Sequence, residues 1–161
     1  MPNPSNPRNA REDHEAGRIP TSRFFDITDI ADKSPGALGL TMPPIDLFTQ
    51  KMRDLSVRKT DRIVVYDFVG MFTAPRVWWM LTNFGAEDVA VLNGGMKKWL
   101  KEGRPVETGP ENYEKGIDGD YSFVFREEKL ARIRDVYDVV DKRKRGETQE
   151  LILDARGAQG F

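Results

Sequence analysis

Very few side chains in this sequence could carry covalent or acid–base chemistry: there is one histidine and no cysteine. The histidine, His14, lies in Arg11-Glu12-Asp13-His14-Glu15. Adjacent positions on a helix do not converge, so His14 reads as a solvated residue and not as a base or ligand. Asn93-Gly94-Gly95 has glycines that suggest a phosphate loop, yet no GxGxxG or P-loop spacing surrounds them. Trp78, Trp79 and Trp99 with Phe84 lack an accompanying basic stripe, so they read as core and interface, not as a base-stacking platform. Lys142-Arg143-Lys144-Arg145 followed by Gly146 reads as cations that complement a helix C-terminus; a nuclear-localisation or anion patch is the sharper alternative. With no cysteine, the chain as it stands has no disulfide, thiolate metal site or cysteine nucleophile, and one histidine cannot build a multi-histidine metal site.

The elements that must position these residues are legible from periodicity. Residues 1–9 carry three prolines and three asparagines and exclude regular structure. A polar helix over 10–16 closes at Gly17 as a C′ residue. Arg23-Phe24-Phe25-Asp26-Ile27 reads as a short buried strand. Ile45, Phe48, Met52 and Leu55 form the apolar stripe of an amphipathic helix. The run Arg62-Ile63-Val64-Val65-Tyr66-Asp67 is a strand leading into a loop, and Pro75 stands at the start of a helix with stripe Val77, Met80, Leu81 and Phe84. Val89-Ala90-Val91-Leu92 is a second strand, Asn93-Gly94-Gly95 a tight turn, and 96–102 a helix stopped by Gly103. Strand, helix, strand, helix with short connections predicts a parallel sheet in an α/β fold. Residues 105–126, rich in proline, glycine and acids, read as a linker. Leu130, Ile133, Tyr137 and Val140 predict a further amphipathic helix, and Leu151-Ile152-Leu153-Asp154 begins like a strand.

Composition narrows the function class. The chain has 161 residues, with 25 Lys+Arg against 26 Asp+Glu, so its formal charge is −1 and no basic field draws nucleic acid or an anionic membrane. Apolar residues are 39% and charged ones 32%, a globular balance. No apolar run reaches the roughly 18 residues of a membrane span, and the N-terminus has no secretory apolar core. The expectation is a soluble, intracellular chain.

Val65-Tyr66-Asp67, Ala74-Pro75-Arg76-Val77-Trp78-Trp79-Met80, Phe84-Gly85, Val91-Leu92-Asn93-Gly94-Gly95 and Trp99 resemble the N-terminal domain of tandem-repeat rhodaneses, the thiosulfate and 3-mercaptopyruvate sulfurtransferases. Arg11-Glu12, Ile19-Pro20 and Phe24-Phe25-Asp26-Ile27 fit the same domain in the same order. Leu153-Asp154-Ala155-Arg156 matches the opening strand of the second repeat. The resemblance implies a rhodanese-like, three-layer α/β domain with a central parallel sheet, here lacking its usual first strand. It divides the chain into a non-catalytic repeat over 1–104, a linker over 105–126 and the truncated beginning of a second repeat over 127–161. The same segment, 67 to 76, is similar to the anion loop of cysteine phosphatases, a reading that fails without a cysteine.

Family members pass a sulfane sulfur from thiosulfate or mercaptopyruvate to a cysteine and on to cyanide or a thiol. The cysteine belongs to the second repeat; in this chain Asp67 opens the equivalent loop, which is therefore a pseudo-active loop with no nucleophile. Arg156 matches an arginine that binds the substrate's anionic group. Thr28 and Thr41 stand where relatives carry an aspartate and a histidine, which removes a proton relay of the mercaptopyruvate type. The resemblance implies no metal and no organic cofactor. Its partners are a small anionic sulfur donor only if a catalytic repeat is supplied, and a possible protein partner, with no nucleic acid and no membrane. The location implied is mitochondrial or cytoplasmic, with no import signal in this chain. The expectation is that the chain alone is inactive; the alternatives are a non-enzymatic interaction module or a truncated gene product. Leu151-Ile152-Leu153-Asp154 is also expected to be able to slot into the vacant strand position of the first repeat.

Overall fold

Asn9 starts the first helix, α1 (Ala10–Ala16), by accepting the N–H groups of Arg11 and Glu12 on its side-chain oxygen. Such local signals recur through a computed structural model that describes residues 9–37 and 41–155. The chain forms two units, Met1–Phe125 and Arg126–Phe161.

In the first unit, α3 (Ile45–Asp54) presents Phe48 and Met52 to the core, with Leu55 buried just past its end. β1 (Arg62–Val65) and β2 (Asp88–Val91) pair in parallel, Arg62 opposite Asp88 and Val65 opposite Val91. Between them runs α4 (Ala74–Asn83), with Pro75 in its first turn where no N–H partner is lost. Its stripe of Val77, Met80, Leu81 and the following Phe84 is buried, as the spacing requires. α5 (Gly95–Lys101) follows β2 after a turn in which Gly94 has φ +86°. The expected strand–helix–strand–helix order therefore holds.

Two of the expected elements fail in this unit. Residues 23–26 form no strand, and Asp26 instead caps a short helix, α2 (Ile27–Ile30), through the Thr28 N–H. The Phe24 N–H donates to the Glu111 carboxylate, so a side chain satisfies the backbone where a neighbouring strand would. Secondly, residues 105–125 do not behave as a linker. They form a strap folded onto the first unit, beginning with the reciprocal backbone pair Arg18–Glu107 at 2.9 Å each way. Arg18, 1% exposed, donates to the Glu107 carboxylate and to the carbonyls of Gly109 and Pro110. Farther along, Tyr121 and Phe123 are buried in the core. Phe48 stacks on Phe84 with centroids 4.0 Å apart, and Phe123 meets Phe48 edge-on at 5.1 Å. The glycines and prolines of this segment shape a path over the surface; its aromatic residues fill the interior.

Gly17 does close α1, but with φ 178° it is extended and not left-handed. Its lack of a side chain matters through space, because a Cβ there would meet the Val106 side chain at 3.2 Å.

The second unit contains a single 3-10 turn (Glu127–Lys129) and α6 (Ile133–Lys144) among its described residues. Helix α6 ends in Lys142, Arg143 and Lys144, the placement favoured by the helix dipole. Leu130 lies outside it, and Ile133, Val136 and Tyr137 are exposed, so the expected stripe buries little. Residues 151–155 form no strand, and Leu151, Ile152 and Leu153 are exposed, so the expected strand does not form within this unit.

Candidate functional site

β1 runs through Tyr66 into Asp67, and the chain then wraps residues 68–73 around that one side chain before entering α4. Asp67 is buried. Its Oδ1 accepts the N–H groups of Gly70 at 2.5 Å and Met71 at 3.0 Å. Its Oδ2 accepts those of Phe72, Thr73 and Ala74 at 2.7, 2.8 and 3.0 Å. Successive amides that converge on one point form an anion nest, and the first turn of α4 adds the positive end of its dipole. Burial raises the affinity of the Asp67 carboxylate for a proton, but the N–H groups of Ala74, Gly70, Thr73 and Phe72 outweigh it. The net effect holds Asp67 below the ordinary aspartate value of 3.8.

The turn after β2 closes the floor of this loop. The Met96 N–H donates to the Asp67 carbonyl at 2.9 Å, and the Leu92 N–H donates to Val65 at 2.9 Å. Gly95 has φ +53°, and a Cβ there would lie 2.6 Å from the Asp67 carbonyl oxygen, so only glycine fits. This is the physical reason for glycine at position 95, which admits a carbonyl, not a phosphate, whereas a Cβ at Gly94 would meet the Lys98 side chain. On the opposite side the loop presents Val69, Met71 and Phe72 to solvent, Phe72 at 77% exposure. Met71 adopts φ +71°, an uncommon conformation for a side-chain-bearing residue, held by its N–H bond to Asp67.

The arrangement has consequences for chemistry. The nest can stabilise one small negative charge, and Asp67 supplies that charge internally. No cysteine stands in it, and an external anion would compete with a tethered carboxylate. The structure thus brings the expected Asp67 and residues 93–95 together. Arg156 lies outside the described residues. Thr28 donates its N–H and hydroxyl to Asp26, an Asx turn with no link to the nest, and the Thr41 hydroxyl is buried without a protein hydrogen-bond partner among the described residues. No group of three or more His, Cys, Asp or Glu side chains among the described residues could hold a metal ion, and no helix there is long and apolar enough to cross a membrane.

Two buried polar residues escape sequence reasoning. Arg18 forms the buried anchor of the strap, and His14 is 5% exposed, with Nε2 3.0 Å from Glu111 Oε1. The expectation of a solvated His14 fails because its partner is 97 positions away, on the segment taken for a linker. Trp78 and Trp99 each donate an indole N–H to a backbone carbonyl, Val89 at 2.9 Å and Pro105 at 2.7 Å, which fits the structural reading of both.

Residues 8–102 match the family model described as a rhodanese-like domain. The chain is 32% identical to 3-mercaptopyruvate sulfurtransferase of Escherichia coli (strain K12) over 154 residues, covering 96% of this chain and 52% of that protein. It is 34% identical to thiosulfate sulfurtransferase of Gallus gallus over 158 residues, covering 94% and 54%. Among solved structures, the 3-mercaptopyruvate sulfotransferase SseA from Escherichia coli superposes with a TM-score of 0.78 at 32% identity, covering 89% of this chain and 53% of that one. The chain therefore spans about half the length of the curated relatives it matches.

Proposed function

The chain belongs to the rhodanese-like, sulfurtransferase family, and from that premise we propose that it is the non-catalytic repeat of a thiosulfate or 3-mercaptopyruvate sulfurtransferase, inactive by itself. The observation that carries this reading is Asp67. Sulfur transfer in this family needs a thiolate within an anion-stabilising loop. Here the loop is present, its donors are consumed by a carboxylate, and the 161 residues contain no cysteine. Purified chain incubated with thiosulfate and cyanide forms no thiocyanate above the protein-free rate. A protein-dependent rate overturns the proposal.

In this reading residues 127–161 begin a second rhodanese repeat, and the first repeat serves as a surface for a cysteine-bearing one. The exposed Val69, Met71 and Phe72 support that role, because the Asp67 bonds fix the backbone at Met71 and Phe72. Phe72→Asp then weakens association with a separately prepared catalytic repeat by about tenfold or more, the loss typical of a central aromatic anchor. Arg156 holds the anionic group of the sulfur donor once that repeat is supplied, a role that rests on the resemblance alone. The same resemblance supports a mitochondrial or cytosolic location.

A further inference from the structure

α1 and the first part of the strap meet in a charged cluster that takes no part in the Asp67 nest; His14 and Arg18 are buried in it, while Arg11 and Glu107 lie at its solvent edge. Glu111 lies 3.0 Å from His14 Nε2, accepts the Phe24 N–H, and places its second oxygen 3.9 Å from Arg11 Nη1. The Phe24 ring covers the imidazole, with centroids 5.4 Å apart, and Arg11 lies over that same ring at 4.6 Å. Beside it Arg18 is bound to Glu107 at 2.5 Å. The charged groups that face His14 are thus Glu111 and Glu107 from the strap and Arg11 and Arg18 from α1 and its exit. Tyr113 adjoins Glu111, and burial keeps its phenol protonated to higher pH than usual.

Two carboxylates and two guanidiniums balance in this cluster, so a neutral imidazole leaves it uncharged. A proton on His14 adds a positive charge in a place short of water and already flanked by two arginines. We propose that His14 and Glu111 form a proton-controlled latch, closed when the imidazole is neutral, that fastens residues 105–113 of the strap to α1. Burial lowers the proton affinity of His14; Glu111 opposes this, while Arg18 and Arg11 reinforce it, and the net direction is below 6.5. Closure is therefore complete above 6.5 and is lost as pH falls through the interval below it, because the open form takes the proton more readily.

The single histidine makes the test direct, since the imidazole NMR resonances belong to His14 alone. In the wild-type chain the imidazole titrates with a midpoint below 6.5, and Glu111→Gln moves it lower still. Amide exchange, corrected for intrinsic rates, accelerates at Glu107 and Gly109 by up to about tenfold per pH unit below 6.5. These amides bond to Arg18 and Glu15, whereas that of Leu92, bonded to Val65 within the sheet, holds its rate. His14→Gln removes the acceleration. A wild-type midpoint at or above 6.5, a pH-independent exchange at Glu107 and Gly109, or an acceleration that survives in His14→Gln overturns the latch.

Discussion

Asn83 is fully buried at the end of α4, and neither its Oδ1 nor its Nδ2 has a protein hydrogen-bond partner among the described residues. A buried amide without partners costs about 1–3 kcal/mol. Asn83→Leu, close in volume and apolar, therefore raises the thermal midpoint, as a melting curve will show. Asp67 is the opposite case, a buried charge with every oxygen engaged. Asp67→Asn keeps one acceptor but turns an amide N–H toward the N–H groups of Phe72, Thr73 and Ala74 or of Gly70 and Met71, and costs about 3 kcal/mol in urea unfolding. The sign of its pH dependence is fixed by the carboxylate lying below 3.8. Its contribution is full above that value and declines as pH falls through the range beneath it, so the variant shows a shallower acid transition than the wild type. Position 67 was legible as the residue where a strand gives way to a loop; that all five N–H groups close on its own carboxylate was not, because the path of residues 68–73 is set by contacts with α4 and Gly95.

Among the elements, those with a complete local signature were readable before any coordinates. β1, α4, β2 and α5 announce themselves by β-branched runs, Pro75, a 3.6-residue stripe and Gly94-Gly95, and each forms where expected. Residues 23–27 and 105–126 lack such redundancy. The first is apolar enough for a strand, but strand pairing requires a neighbour, and the Glu111 carboxylate takes the Phe24 N–H instead. The second has the composition of a linker, yet Tyr121 and Phe123 alternate with exposed positions and reach the core. Phe123→Ala tests that placement: removal of a buried phenylalanine costs about 3–5 kcal/mol in chemical denaturation, against next to nothing for a solvated linker residue.

For the molecule as a whole, stability rests on the first unit, whose core joins α3, α4 and the strap. The described part of the second unit holds no buried apolar residue, and Leu153 is 86% exposed. Leu153→Asp consequently shifts the denaturation free energy of the 161-residue chain by no more than about 0.5 kcal/mol, as for other surface substitutions. A loss of about 2 kcal/mol or more would show that this segment is packed in solution.

The sequence by itself determined the family, the parallel strand–helix–strand order and the want of a thiol, since each is written in local spacing or in the plain inventory of residues. Only the tertiary structure decided that Asp67 fills its own nest, that His14 and Arg18 are buried, and that residues 105–125 complete the core. Those outcomes depend on partners far apart in the chain, such as His14 with Glu111 and Phe48 with Phe123, and no local pattern encodes which distant residue will arrive to exclude the water.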